Sequence, residues 1–326
     1  MIPTWHQAKD ADKNNSSLKD PRMSAPILIP LPHLTVLELT GSDTQAFLQA
    51  QVPSDIRLLS SERAQISGWC TAKGRLLTTF VVWPVADGYR LILASDVADA
   101  IAKRLKMFVL RLKVQISRLD DAVLGLLNPP SALDGLVLPT EPWQISQAAG
   151  VTAIRLDSTR VLLSCSDAAL ASLTAAVATG QSDLWLRADI EQGFPLVSQA
   201  TSEHYVPQMV NLDKLGGVSF KKGCYPGQEI VARTHYLGKI KRHLYRVKAT
   251  QALTAGAEVR SDILNGQACG SLLSAAPVDA SDEWLALAVL QQDAVAGEIY
   301  LESDHGRIAL TLIDEVMPQP ETTVAG

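Results

Sequence analysis

The sequence predicts an α+β protein that ends in a small all-β barrel. Strand, helix and hairpin patterns alternate over the first two thirds of the chain, and from about Leu244 only short strands follow one another. Length agrees, because 326 residues suit about two cores. The expected bounds are a tail over 1–25, a mixed region over 26–241, a barrel over 242–318 and a second tail over 319–326. The change of pattern falls near Lys241.

Apart from Trp5 and His6, the first stretch is polar, with Lys9 to Ser17 too poor in apolar side chains to offset the entropy of ordering. Disorder is expected there. Met23 opens a more regular sequence, and translation from Met1 or from Met23 is equally consistent with it. Thr35 to Leu39 reads as a strand, Gly41 as a turn, and Ser42 with Gln45 as a capping box opening a helix through Phe47 and Leu48. Leu76 to Trp83 and Tyr89 to Leu93 form a hairpin across Ala86-Asp87-Gly88. Ala98, Ile101, Leu105 and Phe108 share one helical face, while Lys103, Arg104 and Lys106 point elsewhere. Arg160 to Ser164 is a strand, and Ala168 to Ala178 a helix capped by Ser166 or Asp167. Leu184 to Gln192 is a helix stopped by Gly193 and Pro195. The barrel strands are Leu244 to Ala249, Gly270 to Ser274, Trp284 to Leu290, Glu298 to Leu301 and Ile308 to Ile313, with Gly256, Asn265-Gly266 and Gly306 turning between them.

Composition excludes several classes. Apolar residues make up 47% of the chain and its net charge is -5, which fits a globular protein. A mildly acidic chain has no global positive field, so nucleic acid is not an expected direct partner, one local basic patch excepted. No run reaches the roughly 18 to 20 apolar residues that span a bilayer, and no membrane association is expected. The cysteines, Cys70, Cys165, Cys224 and Cys269, form no CxxC pair, so no metal site is expected. With no secretory signal pattern, the cytoplasm and reduced thiols are expected.

Chemistry concentrates in Asn211 to Arg233. Gly223 and Gly227 free the backbone, Pro226 suits the first turn of a helix, and Glu229 suits that helix's positive end. Cys224 stands just before this helix beside Lys221 and Lys222, and both influences favour a thiolate. Cys224 is therefore the expected reactive group, with Lys222 assisting. The competing reading is a tight loop around a small buried hydrophobe, and the residues alone leave the two about even. A Cys224–His235 hydrolase pair is disfavoured, since the helix between them would set His235 two to three turns away.

Lys222, Gly223, Cys224, Tyr225, Gly227, Gln228 and Glu229 occupy the specified places of the YgfZ family signature, Lys-Gly-Cys-Tyr-x-Gly-Gln-Glu, and the chain resembles that family over about residues 30 to 315. Further matches are Glu191 to Pro195, Val206-Pro207-Gln208, Ile230 to Thr234, and a glycine turn at Cys70 to Arg75. The family resembles the glycine-cleavage T-protein, an aminomethyltransferase that holds tetrahydrofolate in a central channel. The resemblance implies a T-protein-like folate-binding fold over 26–241, tetrahydrofolate or a derivative as ligand, and Trp185 as a flat wall of its pocket. Leu34 stands where some relatives carry a second pocket tryptophan. Iron–sulfur client proteins, and through them tRNA modification, are the implied partners. The second reading is a folate-dependent aminomethyl- or methyltransferase; the T-protein's acidic pair is replaced by Thr78-Thr79, which cannot act as carboxylates, so classical glycine cleavage is disfavoured. A folate-binding scaffold without catalysis is the third reading.

Overall fold

A computed structural model describes residues 25–278, 281–304 and 306–317. The expected tails lie outside these residues except for Ala25, as does Met23. The helices are α1 (Thr44–Gln51), α2 (Ser95–Val109), α3 (Asp167–Ala176), α4 (Ser182–Glu191) and α5 (Gln228–Tyr236).

Two five-stranded antiparallel sheets and a closed six-stranded barrel organise the chain. The first sheet runs Gln65–Cys70, Leu76–Val85, Gly88–Ala94, Leu34–Thr40, Gln115–Leu119. Its central hairpin pairs Val85 with Gly88, so only Ala86 and Asp87 form the loop. Helix α2 covers one face with Ala98, Ile101 and Leu105 buried, as the spacing predicts. Phe108 departs from that face: it is 43% exposed and sets its edge against Trp69.

The second sheet is ordered Ile27–Pro30, Ala122–Leu127, Arg160–Cys165, Val151–Arg155, Ile145–Ala148. Side chains from both sheets, including Val36, Trp83, Ile154 and Leu162, enclose Trp185 of α4 in one apolar core. This core places α4 between the sheets, where its Trp185, Asp189 and Ile190 are buried. The barrel closes from Arg242–Ala249 through Trp284–Gln291, Gln267–Pro277, Glu258–Ser261, Ile299–Ser303 and Gly306–Glu315. Asn265 and Gly266 both adopt positive φ, as a tight turn between strands requires.

Three local readings need correction. Asp43 is the N-cap residue of α1; the expected capping box fails because Ser42 bonds to Asp43 and the Gln45 amide donates to the Tyr89 hydroxyl. Pro226 lies outside α5, whose N-cap is Gly227 at φ +83. Helix α3 ends at Ala176, short of the expected Ala178, because the Ala178 carbonyl accepts from the Leu28 N–H and so joins the sheet side.

Candidate functional site

The signature loop is stitched to the end of α1. The Ser219 N–H donates to the Pro53 carbonyl, and buried Lys222 donates from Nζ to the carbonyls of Gln49, Val52 and Ser54 at 2.7, 2.6 and 2.8 Å. An ammonium has only three N–H donors. All three satisfy carbonyls at a helix C-terminus, where positive charge is also favoured by the helix dipole. Lys222 therefore has no donor left for Cys224, which corrects the expectation that it assists the thiol. Burial draws its pKa down to about 8, against the pull of Asp55.

Tyr225 is buried beside Lys222, with the ammonium 5.5 Å from its ring centre, and burial raises its pKa. Between these two anchors the chain bulges outward, leaving Gly223 and Cys224 exposed. Gln228 opens α5, Glu229 stands exposed in its first turn, and the Gln208 amide donates to the Val231 carbonyl. The helix is thus held from beneath while the loop before it faces out. Cys224 is exposed, whereas Cys70, Cys165 and Cys269 are buried. Burial pushes those three thiols up to about 12, 11 and 11. Of the two readings left open for Cys224, the exposed thiol is the one the fold adopts. His235 stacks its ring on Phe220 at 3.7 Å between centroids.

The turn at Cys70 to Arg75 reaches the same place. Gly74, at φ +70, lies against Ile230 and Gly227, and Arg75 donates to the His204 carbonyl. Two segments far apart in sequence thus share one surface.

Trp185 and Leu34 line one cavity, together with Thr79, Ile92, Asp189 and Phe194. The space measures about 370 Å³ counted to its mouth. The enclosed part wide enough for solvent holds about one water molecule. Trp185 also lacks a free face: its ring lies so close to Gly125 that a β-carbon there would stand 2.1 Å from it, and the Arg160 guanidinium sits 5.6 Å from the ring centre. The cavity that Trp185 and Leu34 border is narrow, where the resemblance implies one large enough for a pterin.

Arg160 and Asp189 are the polar residues of this region that the sequence reading missed. Buried Arg160 donates from Nε to Asp157 at 2.7 Å and from its terminal nitrogen to Asp189, and it lies over Trp185 and Phe194. Burial pushes the Asp189 carboxyl up to about 7, with Arg160 and the Trp185 N–H pulling against it. One signal was readable: Asp189 follows Trp185 by four positions and so shares its helical face.

Thr78 and Thr79 are buried in backbone bonding. Thr78 donates to the Val197 carbonyl, and Thr79 donates to the Pro195 carbonyl while accepting from the Val197 N–H. These hydroxyls pin the segment that closes the cavity.

Among solved structures, aminomethyltransferase T of the glycine cleavage system from Bartonella henselae superposes with a TM-score of 0.65. The match covers 89% of this chain and 85% of that one, at 17% identity, so it shows the fold alone. The protein is thus of the T-protein fold class, with an exposed cysteine loop at its surface. No protein-family model matches the chain. Three curated relatives carry the name tRNA-modifying protein YgfZ. That of Pectobacterium carotovorum subsp. carotovorum (strain PC1) is 33% identical over 289 residues, 84% of this chain and 86% of its own. That of Sodalis glossinidius (strain morsitans) is 31% identical over 87% of this chain and 91% of its own. That of Vibrio vulnificus (strain CMCP6) is 35% identical over 69% and 71%. The chain belongs to the YgfZ family.

Proposed function

We propose that this protein is a cytoplasmic accessory factor of tRNA modification that binds tetrahydrofolate or a derivative and serves iron–sulfur client proteins through Cys224. The observation that carries the reading is the exposed Cys224 thiol, held out by a loop that is anchored on both sides by buried Lys222 and Tyr225. A surface thiol suits contact with a partner better than chemistry in a closed pocket. The tRNA part is supported by the names of the relatives.

Folate is supported by the convergence of Trp185 and Leu34 on one cavity. The lining outside the sheet strands and α4 is Leu156 and Phe194–Pro195–Leu196. No reaction step is assigned to the folate. Thr78 and Thr79 supply no carboxylate for aminomethyl transfer, and their hydroxyls are already committed to backbone groups.

The test is complementation of a deletion strain. Cys224→Ala is expected to lose cluster-enzyme activity and tRNA modification while keeping its melting temperature and its tetrahydrofolate binding by calorimetry. Full complementation by the alanine variant removes the thiol from the function and leaves the folate-binding scaffold. Absence of tetrahydrofolate binding in the wild type removes the folate.

A further inference from the structure

The surface around α5 combines exposed cations with exposed aromatic rings. Residues 221–241 contain Lys221, Lys222, Arg233, Lys239 and Lys241 against Glu229 alone, in a chain whose net charge is -5. Lys222 is internal, but Lys221, Arg233, Lys239 and Lys241 are exposed, and so is Lys73. Arg90, Arg118, Arg160, Arg246, Lys248 and Arg260 each face a carboxylate, whereas the exposed Lys103, Lys106, Arg111 and Lys113 on and after α2 do not. The exposed cations around α5 have no ion-pair partner among the described residues. Their charge is therefore free to act outward.

These cations are brought together by contacts. Phe220, next to Lys221, stacks on His235, and Tyr236 sets its edge against both rings. Gly74 rests on Ile230, which brings Lys73 to the same helix. Ile230, Arg233 and Leu237 follow at helical spacing on the exposed side. Tyr236 is 65% exposed beside them. Cys224 lies in the loop that the Phe220–His235 stack closes.

We infer that this surface, from Lys73 and Lys221 across α5 to Lys241, docks RNA, with the cations on phosphates and Tyr236 under an unpaired base. Unpaired cations interleaved with an exposed ring are what a single-stranded segment needs. The acidic remainder of the chain does not cancel the patch, because charges farther off than the Debye length of about 8 Å are screened. The choice of tRNA as probe rests on the tRNA part of the proposed function; the patch itself does not depend on Cys224 chemistry. An RNA held here would lie beside the Cys224 loop.

The test uses the full-length protein and an unmodified tRNA transcript, with binding read by fluorescence anisotropy at about 50 and about 200 mM salt. Wild type is expected to bind, and to bind more weakly at the higher salt. The triple variant Lys221→Glu, Arg233→Glu, Lys239→Glu should lose at least about tenfold, with a shallower salt slope. Tyr236→Ala should lose affinity with the slope unchanged. A control with the same charge change on and after α2, Lys103→Glu, Lys106→Glu, Lys113→Glu, should bind as wild type. Cys224→Ala should also bind as wild type, so loss of the thiol function and loss of RNA docking are separable. No binding by the wild type at the lower salt, or an equal loss in the α2 control, overturns the inference. Loss of complementation in the α5 variant without any tRNA binding by the wild type overturns it in favour of a protein partner.

Discussion

Gly227 sits directly on Gly74: a β-carbon on Gly227 would stand 2.7 Å from the Gly74 Cα and nitrogen and 2.5 Å from the Thr71 carbonyl oxygen. Both residues also have positive φ, +83 and +70. Two motifs separated by most of the mixed region thus meet backbone to backbone, with no side chain between them. The turn at Cys70 to Arg75 consequently supports the first turn of α5 and the loop that precedes it.

Gly227→Ala should therefore destabilise the protein by about 2–4 kcal/mol, the sum of left-handed backbone strain and overpacking against a rigid neighbour. Gly223→Ala is the matched control in the same loop. A β-carbon there meets nothing within 4 Å, so the change should stay within about 0.5 kcal/mol. Urea unfolding of both variants decides the point; equal midpoints would mean that the glycine contact carries no weight.

Lys222 makes a prediction about pH as well as stability. Lys222→Met leaves three carbonyls without their donor and should cost about 2–4 kcal/mol at neutral pH. With a pKa near 8 in the fold and an ordinary value of 10.5, the native state binds fewer protons here than the unfolded state between those pH values. By linkage, stability attributable to Lys222 rises from about pH 8 to about pH 10.5. The difference in unfolding free energy between wild type and Lys222→Met should widen over that window, and a constant difference would refute the depressed pKa.

Thiol accessibility gives a direct measurement. Iodoacetamide should modify Cys224 in the native protein and leave Cys70, Cys165 and Cys269 untouched until it unfolds, because those three are buried with raised pKa values. Peptide mass mapping after brief labelling near neutral pH reads this out. Native-state labelling of Cys70 at a comparable rate would contradict the packing of the first sheet.

How far the sequence reaches is visible in these same residues. Alternation and turn chemistry are local, so the Leu76–Val85 and Gly88–Ala94 hairpin, the buried face of α2 and five of the six barrel strands follow from the chain itself. Of the second sheet only Arg160–Cys165 was readable, and length does not explain it, since its partner Ala122–Leu127 has the same six residues. Cys224 and the glycines around it stood out by composition. The direction of Lys222 did not, since it depends on α1 lying beneath a loop far away in sequence. Trp185 and Leu34 could be paired only through the resemblance, and the narrowness of their cavity is a matter of packing by Gly125, Arg160 and Phe194. The Glu258–Ser261 strand was missed for a simpler reason: four residues give too little alternation to read.

The Arg160–Asp189 pair supplies the last prediction. Arg160 is 2% exposed and Asp189 6%, so removing the guanidinium strands a carboxylate in the core beside Trp185. Breaking a buried pair in this way costs about 3–5 kcal/mol, and Arg160→Met should lose that much near pH 8. Acid should relieve the loss. Burial already holds the Asp189 carboxyl at about 7 with Arg160 pulling it down, so without Arg160 its pKa rises further. A carboxyl whose pKa is raised in the fold binds its proton more readily there than in the unfolded chain, so its contribution to stability is greatest at low pH and falls as pH rises through the folded value. The variant's deficit relative to wild type should therefore shrink from pH 8 to about pH 5.5. In the Asp189→Asn background the cost of Arg160→Met should lose this pH dependence, because neither of the two proteins compared carries a carboxyl at position 189 to titrate. Urea midpoints at the two pH values measure both effects, and a deficit for Arg160→Met that is the same at each would show that Asp189 is not the group left uncompensated.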